Sequence, residues 1–350
     1  MTSIRDVADH CGLSTATVSR VLAGKNNVRE EVKQRVLDAV KLLGYRPNRV
    51  ARSLRSKSSS TIGLVVADIQ NPYFTRICRA VEDTALRSGY ATFLCNTDED
   101  PEKEELYLRH LVDENVAGII LAPTGRAVRD FSRMSELGTP LVVIDRPISN
   151  GLADSVVIDN VAAAFELTEH LISHGRARIA GMFGAKSPTG AERLKGFQLA
   201  LQKHGLKEER DLVFLVPPRD EDGYNAVRQM LALPVPPDAI LASNGLLAIG
   251  GYRALMEAGD LCPGAISFCG FDDAAWCSVV RPSVSLIEQP TYEIGTTATE
   301  LLLKRIEDPS RSNRQVVLKH RLLIRHSCGC CEESNLVAGS KLPTGALHHI

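Results

Sequence analysis

Apolar residues in the first 45 positions recur at helical spacing in three short runs. The first run contains Val7 and stops at Gly12, and Ser14 is placed to cap the helix that follows. A third helix is predicted over about 29–43, where Gly44 ends the pattern. Two short helices joined by a tight turn, with a third behind them, are typical of a helix-turn-helix, although the apolar pattern alone would also fit a generic three-helix bundle.

The second of these helices has an apolar face and a polar face. Val18, Val21 and Leu22 share the apolar face at i, i+3 and i+4 spacing. The opposite face carries small and polar side chains, namely Thr15, Ala16, Ser19 and Arg20. If the unit binds DNA, these are the side chains that would meet the bases.

Beyond residue 60 the pattern changes to short apolar runs that alternate with amphipathic segments. The apolar runs, which we interpret as buried strands, are 62–67, 91–95, 117–121, 141–144, 155–158, 178–182, 211–216, 239–241 and 265–269. The amphipathic segments, which we interpret as helices, lie near 73–89, 101–115, 126–138, 161–174, 190–205, 223–232 and 246–259. Strands and helices in this alternation predict parallel βαβ units, and their repetition predicts two similar α/β lobes.

Charge is distributed unequally along the chain. Residues 1–60 contain 12 Lys and Arg against 5 Asp and Glu, a net charge of +7, whereas the remaining residues contain 29 against 37, a net charge of −8. No acidic residue occurs between Lys41 and Thr61. A basic amino-terminal unit on an acidic body favours binding to a phosphate backbone. We therefore interpret the three helices as a DNA-binding headpiece rather than as a generic bundle.

The segment 46–57 is short and basic, has a proline at its second position and is followed by three serines. Its composition alone fits either a solvated connector or a hinge helix with a linker. Further along the chain, no run of apolar residues approaches the roughly 20 needed to span a bilayer, and no secretion signal opens the sequence. We therefore expect the protein to stay in the cytoplasm.

Nine cysteines are scattered along the chain, and we interpret most of them as reduced, buried thiols. Cys328, Cys330 and Cys331 are clustered near the end, but His326 is the only additional ligand close in sequence. We therefore expect an exposed tail there and neither a metal nor a cofactor in the protein.

Polar residues follow the predicted strands, where the loops of an open α/β sheet form a crevice. They include Asp68, Asp145 with Arg146, Arg193, Asn244 and Asp272. Each has an ordinary explanation as a helix cap, a surface ion pair or a solvated side chain. Because all of them occupy the same topological position in successive units, we predict a cleft between the two lobes that binds a small polar solute.

The headpiece resembles that of the LacI/GalR (lactose-repressor) family. The blocks 3–8, 17–22, 44–48 and 50–54 match it in order and spacing, and the resemblance extends over about 4–329. It implies an all-α helix-turn-helix headpiece with a hinge helix, followed by a two-lobed α/β periplasmic-binding-protein-like core with parallel sheets. The implied domains are a headpiece at 1–46, a hinge and linker at 47–60, a core at 61–329 and a flexible tail at 330–350. Within the core, the first lobe comprises about 61–159 with 290–318, and the second about 160–289 with 319–329.

The resemblance also implies which residues contact DNA. Thr15, Ala16 and Arg20 match base-reading positions, and an arginine can pair with guanine in bidentate fashion. Leu54 matches a side chain that wedges into the minor groove, with Arg55 beside it. The full set of expected DNA contacts is Ile4, Arg5, Ser14, Thr15, Ala16, Ser19, Arg20, Arg49, Leu54 and Arg55.

Further matches lie in the predicted cleft. The effector-binding residues implied by the resemblance or by the loop pattern are Asp68, Tyr73, Phe74, Asp145, Arg146, Arg193, Asn244, Asp272, Trp276 and Gln289. Gly245 departs from the aspartate usual at its position, and Pro218 stands where some relatives have an aromatic platform, so Trp276 either stacks on the ligand or packs under a loop. Arg146 and Arg193, with Lys186, favour a sugar acid among sugars.

Together these features predict a homodimeric transcriptional repressor that binds operator DNA and is controlled allosterically by a sugar or sugar acid. The alternatives are a regulator that responds to a nucleobase or a phosphorylated corepressor, and a solute-binding protein of a sugar transport system. An enzyme is not expected, because the chain lacks the glycine-rich phosphate loops and the GxSxG nucleophile motif of common α/β enzymes.

Overall fold

A computed structural model describes residues 2–22, 28–45, 59–124, 138–146, 153–259 and 261–330. The chain divides into two compact units, Met1–Ser59 and Ser60–Ile350. Several sequence predictions lie outside the described residues: the hinge helix, the tail after 330 and, except for its last residue, the helix near 126–138.

The first unit contains three helices, α1 (Ile4–Cys11), α2 (Thr15–Leu22) and α3 (Glu30–Leu42). Helix α1 ends because Gly12 adopts a left-handed conformation with φ 57°. Ser14 caps α2, since its Oγ accepts a hydrogen bond from Thr17 N at 3.2 Å. Val7, Val18 and Val36, one from each helix, are fully buried and form the centre of a small core.

The second unit begins with the N-lobe, whose sheet contains six of the described strands. They are β1 (Thr61–Val66), β2 (Ala91–Asn96), β3 (Ile119–Leu121), β4 (Leu141–Ile144), β5 (Asp154–Ile158) and β11 (Gln315–Leu318). All pair in parallel, in the order β11-β5-β4-β3-β1-β2. The helices of this lobe are α4 (Pro72–Arg87), α5 (Pro101–Asp113) and α11 (Thr291–Glu307), and α11 packs against α4.

The C-lobe repeats this arrangement. Its strands are β6 (Ile179–Gly184), β7 (Val213–Val216), β8 (Ala239–Ala242), β9 (Ser267–Phe271), β10 (Ser285–Glu288) and β12 (Arg321–Leu323), in the order β12-β10-β9-β8-β6-β7. Only β12 among them runs antiparallel to its neighbour. Its helices are α6 (Asn160–Ser173), α7 (Pro188–Lys203), α8 (Asp220–Leu231), α9 (Gly245–Glu257) and α10 (Trp276–Val279).

Within the described residues the chain passes between the lobes three times, after β5, after β10 and after β11. This arrangement confirms the predicted fold class of a helix-turn-helix followed by a two-lobed α/β core with parallel sheets. In both sheets the carboxyl ends of the parallel strands share one edge, which is where loops can converge on a ligand. None of the described helices is long and apolar enough to cross a membrane.

Candidate nucleic-acid interface and ligand cleft

Helix α2 presents the surface expected for a recognition helix. Thr15, Ala16 and Arg20 are exposed, and Ser19 is half-buried at the edge of the same face. Val18 and Val21 are buried on the opposite side, which fixes the orientation of the exposed face. The outward side chains therefore combine methyl groups, hydroxyls and one guanidinium, which is a set that can read base edges in a major groove.

The other predicted DNA contacts are distributed around this helix. Arg5 is exposed on α1, whereas Ile4 is half-buried and packs against the small core. Ser14 is exposed, but its hydroxyl already caps α2 and lies 2.9 Å from Thr17 Oγ1. Arg49, Leu54 and Arg55 lie outside the described residues.

A cavity of about 660 Å³ lies between the two lobes. Its walls come from the loops that follow β1 and β2 in the N-lobe and β7, β8 and β9 in the C-lobe, and from the crossing after β10. Of the predicted effector-binding residues, five line the cavity: Asp68, Tyr73, Asp272, Trp276 and Gln289. Phe74, Asp145, Arg146, Arg193 and Asn244 do not line it.

Asp272 holds two parts of the C-lobe wall together. Its Oδ2 accepts a hydrogen bond from Gly245 N at 3.0 Å, and its Oδ1 accepts one from Gln289 Nε2 at 2.7 Å. Loss of water around the carboxylate raises the pKa of Asp272, while Arg193 and these two donors act in the opposite direction. Gln289 is thereby oriented at the crossing between the lobes.

Tyr73, near the start of α4, has a buried hydroxyl that forms no hydrogen bond with any of the described residues. Burial raises the pKa of Tyr73, and the nearby carboxylates of Asp145 and Asp272 raise it further. Asp145 stands close enough to affect the phenol, but the two groups do not meet in the geometry of a hydrogen bond. An unsatisfied buried hydroxyl costs roughly 1–3 kcal/mol, so this atom is suited to a polar group supplied by a ligand.

Asp145 and Arg146 belong to a buried ion-pair network. Arg146 Nε donates to Asp145 Oδ2 at 3.0 Å, and its two terminal nitrogens donate to both carboxylate oxygens of Glu99 at 3.0 and 2.8 Å. Burial disfavours the charged guanidinium, but Asp145 and Glu99 outweigh it and raise the pKa of Arg146. The guanidinium is therefore fully engaged with protein carboxylates.

Arg193 and Asn244 support the cleft from behind its lining. Arg193 Nε donates to Asn160 Oδ1 at 2.8 Å, Nη1 donates to Ser243 O at 2.5 Å, and the guanidinium lies 4.3 Å from the centre of the Phe271 ring. Asn244 caps α9, since its Oδ1 accepts a hydrogen bond from Leu247 N at 2.8 Å. The geometry of Asn244 therefore fits its ordinary explanation as a helix cap.

The aromatic residues divide between core and cavity. Phe74 is 5% exposed and packs in the N-lobe core beside Tyr73. Trp276 is half-buried, lines the cavity and also packs against Tyr252, with 5.9 Å between ring centres. Trp276 thus has one side in the protein and another available to a ligand, so stacking and packing are compatible.

Sequence reasoning missed several cavity residues, chiefly Arg76, Asp98, Glu99, Arg219 and Asp220. Asp98 and Glu99 follow β2, and Arg219 and Asp220 follow β7. The rule that selected Asp68 and Asp272, namely a polar residue in the loop that follows a strand, would have selected these four as well.

Comparison with known proteins adds independent information. The family described as "Bacterial regulatory proteins, lacI family" matches residues 3–48, and that described as "Periplasmic binding proteins and sugar binding domain of LacI family" matches residues 59–326. The chain is 37% identical over 331 residues to the ribose operon repressor of Halalkalibacterium halodurans, covering 93% of this chain and 97% of that protein. It is 33% identical over 332 residues to the transcriptional repressor PurR of Mannheimia succiniciproducens, covering 93% and 98%.

Among solved structures, the chain is similar to a LacI family transcriptional regulator from Enterococcus faecium with bound ribose. The two share 31% identity and a TM-score of 0.69, and the match covers 76% of this chain and 98% of the other.

Proposed function

Because the chain belongs to the LacI family of bacterial regulatory proteins, and is therefore a DNA-binding transcriptional regulator rather than an enzyme, we propose that it is a repressor controlled by a small neutral sugar. It binds operator DNA as a homodimer through the outer face of α2, and the sugar occupies the cavity between the lobes. Residues 47–60 act as the hinge that connects the headpiece to the core. As a DNA-binding regulator, it works in the cytoplasm.

The observation that carries this proposal is the buried hydroxyl of Tyr73, which has no hydrogen-bond partner among the described residues. It lies near the carboxylates of Asp145 and Asp272, close to the cavity wall that Tyr73 and Asp272 share. A sugar hydroxyl can accept from the phenol and donate to a carboxylate, because each hydroxyl is both a donor and an acceptor. An array of neighbouring sugar hydroxyls would therefore satisfy this part of the cleft.

The charge of the cavity argues for a neutral ligand. Six acidic side chains line it, namely Asp68, Asp98, Glu99, Asp220, Asp272 and Asp273, against two basic ones among the described residues, Arg76 and Arg219. Ion pairs with Lys103, Arg146 and Arg325 neutralise Asp98, Glu99 and Asp273, which leaves three acidic groups against two basic ones. None of the three cations that favoured a sugar acid lines the cavity. Arg146 is paired with Asp145 and Glu99, Arg193 is bound to the protein, and Lys186 is exposed. Repulsion between like charges would disfavour carboxylate or phosphate ligands.

Ribose is the first sugar to test. It is the ligand bound in the similar Enterococcus structure, and the similar Halalkalibacterium protein is named a ribose operon repressor. A nucleobase remains the second candidate, since the half-buried ring of Trp276 lines the cavity and could stack on a planar ring. The likeness to PurR adds to that alternative.

A ligand screen separates these candidates. Purified protein is heated with D-ribose, D-glucose, D-gluconate, ribose 5-phosphate, adenine or hypoxanthine, and the unfolding temperature is recorded. A ligand that binds the folded state raises it by mass action, so a neutral sugar should produce the largest increase. Stabilisation by gluconate, ribose 5-phosphate or a nucleobase alone would overturn the neutral-sugar proposal.

DNA binding is tested separately, by fluorescence anisotropy with genomic promoter fragments in excess bulk competitor, with and without the ligand identified above. Preferential binding to particular fragments, altered by the ligand, is the expected result. Equal affinity for all fragments in both conditions would contradict the proposed operator recognition.

A further inference from the structure

A cluster of sulfur and nitrogen ligand atoms lies in the C-lobe, away from the cleft. Cys328 and Cys330 follow β12, and His170 lies in the last turn of α6. One ligand atom from each of the three residues lies within 4.8 Å of those from the other two, and the two sulfurs are 3.0 Å apart. Tertiary folding has therefore assembled these groups from two distant parts of the chain.

This arrangement corrects the sequence-based interpretation of the cysteine cluster. Cys328 is 1% exposed and Cys330 is half-buried, so this part of the chain is not an exposed tail. The histidine that meets the thiols is His170 rather than His326. His326 lies elsewhere, with its Nδ1 at 2.8 Å from Ser283 Oγ.

His170 provides a second observation that points to a ligand. Its side chain is more than nine-tenths buried, at 8% exposure, and its Nε2 has no hydrogen-bond partner in the part of the chain that the structure describes. The next histidine along the helix, His174, does not satisfy it, because the Nδ1 of His174 is directed to the carbonyl oxygen of His170. A buried imidazole nitrogen without a partner is costly in an apolar interior and favourable beside a cation that accepts its lone pair.

A hydroxyl group also contacts one of the two sulfurs. Ser285 Oγ donates to Cys328 Sγ at 3.1 Å. In a metal site this hydroxyl would be an outer-shell donor that orients the sulfur.

We propose that His170, Cys328 and Cys330 bind a single Zn²⁺ ion, with the fourth position of the tetrahedron open to an exogenous ligand. Two thiolates and one imidazole match the preference of Zn²⁺ for sulfur and nitrogen donors. Tetrahedral coordination with Zn–S bonds of about 2.3 Å separates two sulfurs by about 3.8 Å, so metal binding requires Cys328 and Cys330 to move their sulfurs apart from the present 3.0 Å. The ion would join α6 to the segment after β12 and so brace the C-lobe independently of the effector.

The test uses the full-length protein, reduced and freed of metal by a chelator that is then removed. Co²⁺ is titrated first, because thiolate ligands give intense charge-transfer bands and tetrahedral coordination gives strong d–d bands. Zn²⁺ is then titrated against a chromophoric chelator to obtain the affinity and the stoichiometry. We expect thiolate–Co²⁺ bands that saturate at one equivalent per chain and disappear when Zn²⁺ is added.

Cys330→Ser tests the assignment, because Cys330 is half-buried and the variant should fold. Zn²⁺ affinity should fall by at least about tenfold. Loss of an outer-shell partner can already have an effect of this size, and loss of a direct ligand should have a larger one. The matched control is Cys95→Ser, a half-buried cysteine in β2 of the N-lobe, which should retain wild-type affinity.

A measurement without mutation completes the test. Bound Zn²⁺ should protect Cys330 from alkylation by iodoacetamide, as detected by mass spectrometry of its peptide, and should leave the labelling of Cys95 unchanged. Absence of thiolate–Co²⁺ bands in the reduced protein, or equal Zn²⁺ affinity of wild type and Cys330→Ser, would overturn the proposal.

Discussion

Asp145 and Asp272 occupy equivalent positions in the two lobes. Each directly follows the fourth strand of its lobe in chain order, β4 or β9, and each has a φ of 70°, a conformation that non-glycine residues rarely adopt. Each also donates its backbone N–H to the next strand, to Val156 O at 3.3 Å and to Ile287 O at 2.9 Å. Strained turns of this kind persist where the surrounding structure holds them, commonly at ligand sites, so the repeated aspartate turn supports the assignment of the cleft.

Removal of the Tyr73 hydroxyl should affect protein stability and sugar affinity in opposite directions. Tyr73→Phe should leave the ligand-free protein as stable as wild type or up to about 1 kcal/mol more stable, because a buried unsatisfied hydroxyl is removed. The same change should weaken sugar binding by about tenfold, since one hydrogen bond to the ligand is lost. Urea denaturation and isothermal titration calorimetry measure the two effects.

Tyr252→Phe is the matched control, because the buried hydroxyl of Tyr252 donates to the carbonyl oxygen of Pro282. Its removal leaves that carbonyl unpaired, so the control should lose about 1 kcal/mol of stability and keep its sugar affinity. If Tyr73→Phe behaved like Tyr252→Phe in both measurements, the phenol would have no role in ligand binding.

Asp272 gives a prediction for pH dependence. Burial raises the pKa of Asp272 in the folded protein above its value in the unfolded chain. At a pH between these two values, the folded protein therefore keeps a proton that the unfolded chain has released. The contribution of Asp272 to the free energy of unfolding therefore decreases as the pH rises from about 4 through the raised value, and is constant above it. Asp272→Asn should lack this decrease, so its stability relative to wild type should increase across the same interval, as measured by urea denaturation at a series of pH values.

The exposed Asp211→Asn provides the comparison for this experiment. Its stability should follow the wild-type pH curve. A constant difference between Asp272→Asn and wild type across the interval would show that Asp272 does not titrate there.

Arg20 is the strongest candidate for base recognition among the described residues. Arg20→Ala should reduce discrimination between operator and random DNA by about 1–3 kcal/mol, since a bidentate contact to guanine is lost. Lys33→Ala removes an exposed cation from α3 and should change specific and non-specific binding to a similar extent. Competition assays on both variants measure the ratio, and unchanged discrimination in Arg20→Ala would displace α2 as the recognition helix.

At the level of elements, the continuously apolar strands could be predicted from sequence, whereas the strands that include polar side chains could not. The runs at 62–67 and 141–144 are continuously apolar and became β1 and β4. Strands β10, β11 and β12 have three or four residues, include polar side chains and give no comparable signal. Helix α11 was missed although it has 17 residues, because polar and apolar residues are mixed around Gly295 in its first half.

The same limit applies to the site. A strand followed by a polar residue predicts a position at the cleft, and this rule located Asp68 and Asp272. It cannot show that Arg146 is bound to Glu99, 47 positions away, or that Arg193 is held by Asn160 and Ser243. Whether an arginine is available to a ligand depends on tertiary partners, and for that reason the expectation of a sugar acid lost its support.

Strand β2 is an edge of the N-lobe sheet that exposes apolar side chains. Among the described strands it pairs with β1 alone, and Phe93 and Leu94 are 49% and 48% exposed. An apolar edge strand is a surface that proteins usually cover, and a second copy of the chain would do so in the proposed dimer. Phe93→Asp should therefore shift the protein towards monomer in analytical ultracentrifugation and weaken operator binding.

Val235→Asp is the control, because Val235 is 60% exposed in the loop before β8 and lies in the other lobe. It should remain dimeric and bind operator normally. A dimeric Phe93→Asp variant would place the subunit interface on another surface.

At the scale of the whole molecule, the described residues join the two lobes by three crossings, and the cavity is bounded by loops from both. A ligand changes the relative free energies of two lobe arrangements only if its contacts differ between the two arrangements. Tyr73 belongs to the N-lobe, whereas Asp272 and Trp276 belong to the C-lobe, so a sugar that contacts all three has such contacts.

Coupling between the sugar and the operator must be reciprocal, since both ligands act on one set of conformational equilibria. If saturating sugar changes the dissociation constant of the operator complex by a given factor, saturating operator must change that of the sugar complex by the same factor, expected at roughly 5 to 150. Anisotropy titrations with and without sugar, and calorimetric titrations with and without operator, give the two factors.

Tyr73→Phe should leave sugar-free operator affinity unchanged and shift the sugar concentration at half-response upward by about tenfold. Unequal factors, or an unshifted response in this variant, would separate the sugar site from the cleft described here.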